Sequence, residues 1–293
     1  MSDIGAMSGI SAMSENHKAN PRVLVFDSGV GGLSILGEIQ SRVPGCDLIY
    51  ASDNAAFPYG TKTEDELVNR VDRVLHQILA QHPVDIIVVA CNSASTLALP
   101  HIRAHFDQPI VGVVPAIKPA AACSQTKVIG LLATPGTLSR SYTRGLIAEF
   151  ANDCHLIQLG SSDLVQLAEQ KLRGQPPGTE QLHQILAPMT EDSRYPDMDK
   201  LVLACTHFPL LREELSHYFG RAVQLVDSGP AIARRVAYWV AQLALKPGAT
   251  GHHHLALFTE HNQAVAQLAL ALSRYDLNRI ELVQSPSSSS TGI

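Results

Sequence analysis

The chain has 293 residues, of which 45% are apolar and 17% charged, and a formal net charge of −5 at pH 7. That length accommodates two α/β domains of ordinary size, and that composition describes a core-forming protein and excludes a mainly disordered one. No basic block occurs, which excludes the electrostatic footprint of a nucleic-acid binder.

Residues 1–21 are mostly small and polar and lack the basic and apolar regions of a secretory signal. They are expected to be a flexible N-terminal extension. No apolar run reaches the roughly 18 residues of a membrane span, so no membrane partner is expected. The five cysteines, Cys46, Cys91, Cys123, Cys154 and Cys205, are odd in number, widely spaced and without a CxxC. A disulfide framework does not fit them, and a cytoplasmic chain with free thiols does.

Apolar runs predict strands at 22–27, 47–52, 85–90, 110–114, 127–133, 154–159, 199–204 and 222–226. Amphipathic periodicity predicts helices over 64–81, 137–149, 161–173 and 228–244. Such alternation argues for α/β architecture with mainly parallel sheets built from βαβ units, in which ligands bind beyond the carboxyl ends of strands. Four strands end in small, reactive sequences: Asp27-Ser28-Gly29, Cys91-Asn92-Ser93, Thr134-Pro135-Gly136-Thr137 and Cys205-Thr206-His207. The second two loosely echo the first two, which suggests two pseudosymmetric α/β domains, each presenting one cysteine to a cleft between them. The Pro-containing stretch 111–119 and the segment 225–229 are the expected crossovers. The first domain then comprises 22–114 plus 226–284, the second comprises 115–225, and 285–293 is a flexible tail.

A buried free cysteine is most often a small hydrophobe, and that reading suits Cys46, Cys123 and Cys154. Cys91 and Cys205 differ, because each ends an apolar strand before polar residues and an expected helix start that favours a thiolate. Two such thiols suit inversion of an amino-acid α-carbon, one as base and the other as acid. Asp27 and His207 are placed to tune or orient them. Ser28, Asn92, Ser93, Thr206 and the loop Gly29–Gly32 offer donors for a small dicarboxylate. The segment 52–60 reads as a loop whose Tyr59 side chain or Gly60 amide could close over a ligand.

Weaker signals point elsewhere. Gly29, Gly31 and Ser34 fall short of a dinucleotide fingerprint, although Asp53 stands at the spacing of a ribose-binding acid. Cys205 and His207 could ligate zinc with Cys91, but no fourth ligand has a natural spacing. His252-His253-His254 reads as the opening of a strand or loop, and Glu169 as part of a solvated helix face.

Together the stretches VFDSGVGGLSIL (25–36), SDNAAFPYG (52–60), VVACNSAST (88–96), VGVVPAIKP (111–119), VLACTHFPLL (202–211) and VDSG (226–229) resemble glutamate racemases of the aspartate/glutamate racemase superfamily. The resemblance implies two pseudosymmetric α/β domains with the active site between them. It implies interconversion of L- and D-glutamate without pyridoxal phosphate or metal, for peptidoglycan synthesis. It places the catalytic cysteines at Cys91 and Cys205. Substrate-binding positions fall at Asp27, Ser28, Tyr59, Gly60, Asn92, Ser93, Thr206 and His207. Ser93 stands where the family commonly has Thr, and Glu169 matches an acidic position proposed to assist the second cysteine. Further implications are a homodimer and activation by UDP-N-acetylmuramoyl-L-alanine. The rival readings are a racemase of aspartate or a related acidic amino acid, a cysteine hydrolase using Cys205 and His207, and a two-lobed binding module.

Overall fold

The computed structural model describes residues 20–248 and 253–283. The extension expected over 1–21, save its last two residues, lies outside the described residues, as do the tail expected over 285–293 and His252.

The described strands are β1 (Arg22–Asp27), β2 (Asp47–Ser52), β3 (Ile86–Val89), β4 (Ile110–Gly112), β5 (Val128–Ala133), β6 (His155–Gly160), β7 (Lys200–Leu203), β8 (Gln224–Val226), β9 (Leu255–Phe258) and β10 (Ile280–Leu282). They form two sheets, ordered β10-β9-β2-β1-β3-β4 and β6-β5-β7-β8. All the pairings are parallel. Within each sheet the first four strands take the same order, second-first-third-fourth. The echo in the sequence is therefore an echo in topology: β1 corresponds to β5, and β3 to β7. Both sheets carry helices on both faces, and so β2, β3, β5 and β7 are buried along their whole lengths. The edge strand β6 is exposed or half-buried at most positions.

Each sheet separates two apolar clusters. On one face of the first sheet, Leu33 and Leu36 of the helix Leu33–Arg42 meet Val236 of the helix Gly229–Gln242. The latter helix also packs against β4, which returns the chain to the first lobe after β8. On the other face, Leu67 and Val71 of the helix Glu64–Gln81 meet Ala98 and Ile102 of the helix Asn92–His105. The helix Glu64–Gln81 starts where the sequence predicts. Thr63 caps it by accepting from the Glu66 amide, and Glu64, Asp65 and Glu66 complement its dipole.

The structure departs from expectation in two regions. The helix predicted over 137–149 is two helices, Pro135–Ser139 and Ser141–Phe150. They break at Arg140, which is extended because its guanidinium reaches the other lobe and donates to Thr96 Oγ1 at 2.8 Å and Ser93 O at 3.2 Å. The short strands β9 and β10 extend the first sheet beyond β2; the sequence reading assigns neither a range and places only the opening of a strand or loop at 252–254. His253 and His254 lead into β9, and the Leu48 amide donates to His254 Nδ1 at 3.1 Å.

The lobes meet closely at the loop after β1. A Cβ on Gly31 would stand 2.5 Å from both His207 Nδ1 and Thr206 Oγ1, and one on Gly29 would stand 2.3 Å from Glu169 Oε1. Gly31→Ala is expected to cost about 1–3 kcal/mol through overpacking of a site that cannot give way. A thermal melt should show Tm lowered by several degrees; an unchanged Tm would mean that the lobes tolerate separation here.

Candidate active site

In each sheet the reactive sequences end adjacent strands. Asp27 closes β1 beside β3, which leads to Cys91; Thr134 follows β5 beside β7, which leads to Cys205. The four ends converge on one cavity of about 680 Å³ including its open mouth. Cys91, Asn92, Ser93, Ser28, Tyr59 and Gly60 line it from the first lobe, and Cys205, Thr206, His207 and Thr134–Thr137 from the second. Of the catalytic and substrate-binding positions that the resemblance implies, Asp27 alone does not line it. Asp27 is fully buried, where its carboxylate accepts from the Gly29 amide at 2.9 Å and from Thr206 Oγ1 at 3.0 Å. Ser28 connects it to Cys91, with Ser28 Oγ 3.5 Å from Asp27 Oδ1 and 3.8 Å from the Cys91 sulfur.

The two thiols are placed alike but sit in different fields. Cys91 is the N-cap of the helix Asn92–His105. The expectation that a helix start brings the thiol towards neutrality fails there. Burial first, and the neighbouring Asp27 second, push Cys91 up to about 12, against the opposing Ala94 amide and Ser28 hydroxyl. Cys205 is followed by the 3₁₀ turn Phe208–Leu211 and not directly by an α-helix. Its partner is His207, whose Nδ1 is 3.8 Å from the sulfur. His207 Nε2 is 2.9 Å from Glu169 Oε1. Burial opposes charge on His207, but Cys205 and Glu169 together hold it well above the ordinary imidazole value. His207 is thus the titratable group that faces the Cys205 sulfur.

Glu169 is therefore not on a solvated face; it is 2% exposed. It accepts from the Val30 amide at 2.8 Å and pairs with Arg173 at 2.5 Å. Burial works against its charge, and the His207 hydrogen bond leads the interactions that hold its carboxyl below the ordinary value. Spacing could not reveal this role, because the groups it serves are 38 and 139 residues away.

The other expected contacts divide. The Gly29 and Val30 amides are spent on Asp27 and Glu169, so the glycine loop binds the protein's own carboxylates. The Tyr59 hydroxyl is given to Asp53 at 2.5 Å, and what this residue can offer a ligand is its ring and backbone. Asn92 Oδ1 is buried without a hydrogen-bond partner on a residue that lines the cavity, an acceptor left for a ligand. Asp53, considered above as a ribose acid, is fully buried and bound by Arg70, Tyr59 and Thr259. Those donors outweigh burial and hold its carboxyl below the ordinary range. Sequence reading missed Arg70, 17 residues on, whose guanidinium donates to both Asp53 oxygens at 2.8 and 2.5 Å. Among the described residues, the only three His, Cys, Asp or Glu side chains arranged to share one metal ion are Asp72, His101 and His105, which do not line the cavity.

Residues 34–236 match the Asp/Glu/Hydantoin racemase family model. The chain is 45% identical to the glutamate racemase of Pectobacterium atrosepticum, over 93% of this chain and 94% of that one. It is 54% identical to the glutamate racemase of Shewanella loihica over 73% and 79%. The chain belongs to the Asp/Glu/hydantoin racemase family. Its structure is similar to Escherichia coli glutamate racemase solved in complex with L-glutamate and the activator UDP-MurNAc-ala, with a TM-score of 0.84 and 46% identity, covering 90% of this chain and 98% of that one. It is also similar to glutamate racemase isoform RacE1 of Bacillus anthracis, with a TM-score of 0.75 and 25% identity, covering 92% and 99%. Two mainly parallel α/β units, expected from the sequence, are the fold of these structures.

Arg70→Met leaves the Asp53 carboxylate buried and without its guanidinium. Breaking a fully buried pair costs roughly 3–5 kcal/mol; because the Arg70 side chain is 26% exposed, about 2 kcal/mol is expected here. Urea denaturation should show a lower midpoint with an unchanged slope, and an unchanged midpoint would show the pair to be dispensable.

Proposed function

We propose that the cavity holds glutamate with its α-carbon between Cys91 and Cys205, and that the chain interconverts the L and D forms by two-base proton transfer. One observation carries this reading: the two thiols follow the corresponding strands β3 and β7 of two like-wound sheets and line the same cavity. One sulfur removes the Cα proton, and the other delivers a proton to the opposite face. Reversal of direction exchanges their roles, with no cofactor in the step.

The fields around the thiols supply a resting state. Cys91, beside Asp27, keeps its proton and stands as the acid. Cys205, with His207 beside it to take up its proton, stands as the base. Bound substrate brings an α-ammonium, whose positive charge eases ionisation of Cys91 when the roles reverse. The unpartnered Asn92 oxygen suits that ammonium. The Ser28, Ser93 and Thr206 hydroxyls and the Tyr59–Gly60 backbone suit the two carboxylates. His207 and Asp27 act on the sulfurs and their surroundings, and Glu169 acts through His207.

Glutamate is preferred to aspartate because chains at least 45% identical over most of their length are glutamate racemases. The product D-glutamate would enter peptidoglycan synthesis, and UDP-N-acetylmuramoyl-L-alanine is the proposed activator, as for the Escherichia coli protein. No helix among the described residues is long and apolar enough to cross a membrane. We assign the chain to the cytoplasm on its unpaired cysteines.

Circular dichroism of each enantiomer, with and without the muramoyl precursor, tests substrate and activator together. Turnover of L- and D-glutamate is expected, faster with the precursor. Brisk aspartate turnover with inert glutamate would overturn the substrate, and an unmoved rate would overturn the activator.

Glu169→Gln removes the charge that helps keep His207 protonated. His207 then loses its proton at lower pH, and the alkaline limb of the kcat profile should move down the pH scale. A fall in kcat of about 10–100-fold should accompany it. A reduced kcat with an unmoved limb would show that Glu169 only supports the fold.

A further inference from the structure

We propose that Asp72, His101 and His105 form a surface site for one divalent transition-metal ion of the zinc class, joining the helix Glu64–Gln81 to the helix Asn92–His105. Each of the three offers one ligand atom, and these atoms all lie within 4.8 Å of one another. His101 and His105 are four residues apart and share a helix face. Their rings stack with centroids 4.0 Å apart. Asp72 comes from the neighbouring helix, with Oδ1 3.1 Å from His101 Nε2.

The surrounding hydrogen bonds orient the His105 and Asp72 atoms as ligands, and the metal would replace the proton that His101 Nε2 donates to Asp72 Oδ1. His105 Nδ1 is 2.7 Å from the His101 carbonyl oxygen. A carbonyl only accepts, so Nδ1 carries the proton and Nε2 keeps its lone pair for a metal. His76 Nδ1 lies 2.9 Å from the Asp72 carbonyl oxygen and 3.4 Å from Asp72 Oδ2. Its N–H therefore faces the carboxylate edge that a metal on Oδ1 would leave open.

Two imidazole nitrogens and one carboxylate oxygen suit zinc-class ions and not magnesium or calcium, which take oxygen sets. A tetrahedral zinc about 2.1 Å from each ligand sets the ligand atoms roughly 3.4 Å apart. Rotations of about an ångström close the site, with water in the fourth position. Asp72 and His101 are half-buried and His105 is exposed, so such rotations are open to them. Ten residues, about 15 Å of helix, separate His101 from the Cys91 cap. The ion would thus join two helices outside the cavity, and the proposal does not depend on how the cavity works.

Cobalt(II) is the probe, titrated into the reduced full-length chain and its His105→Ala variant, with zinc as competitor. Cobalt held by nitrogen and oxygen gives visible d–d bands without the thiolate charge-transfer band that binding at Cys91 or Cys205 would add. One equivalent bound without that band is expected, displaced by zinc and weakened at least about tenfold in His105→Ala. Zinc should raise Tm for the parent chain and not for the variant, whose racemisation rate stays unchanged. His105 is the exposed last residue of its helix, so the variant folds. No cobalt bound at about 1 mM, equal affinity in both proteins, or a thiolate band as the only signal would overturn the proposal.

Discussion

The buried carboxylate of Glu169 is the contact on which the rest of the site depends. It belongs to the second lobe, yet it accepts from the Val30 amide of the first while holding His207 against Cys205. Asp27 makes the reverse connection, a first-lobe carboxylate accepting from Thr206 of the second. Hydrogen bonds to charged groups contribute about 1.5–3 kcal/mol each, and burying the charges costs a comparable amount. What the two carboxylates supply is therefore position more than stability. Gly29 and Gly31 are part of the same arrangement, because any side chain there would occupy the space of Glu169, His207 or Thr206.

The fold is nearly symmetric and the electrostatics are not. Corresponding strands deliver corresponding thiols, but one meets a carboxylate behind a serine and the other meets an imidazole backed by a carboxylate. A reversible racemase needs its two bases in opposite protonation states at the start of each turnover. On the proposed mechanism the protein sets that difference before substrate arrives, and the substrate's own charges relax it when the direction reverses.

What the sequence made legible follows from physical range. The strand ends were legible because a buried parallel strand reads as a continuous apolar run, and a reactive residue just after it stands out. This located Cys91, Cys205, Asp27 and His207 and suggested the repeat. From periodicity and spacing, the partners were legible only where they are neighbours in the chain; Glu169 was reached through the resemblance alone. Glu169 looks like an ordinary polar position on an amphipathic helix, and Arg70 like a surface cation, because His207 and Asp53 reach them only through tertiary packing. The break at Arg140 was hidden for the same reason: helical periodicity continues through it, and a contact with Ser93 and Thr96 of the other lobe wins.

The central claim is that two thiols, one on each side of Cα, exchange the proton with solvent. The most direct measurement follows deuterium from D₂O into Cα of glutamate during turnover, in the parent chain and in Cys91→Ser and Cys205→Ser. The account expects deuterium in the enantiomer formed, and severe loss of racemisation in both variants. Near-full activity in either variant, or inversion without deuterium entering the product, would contradict it.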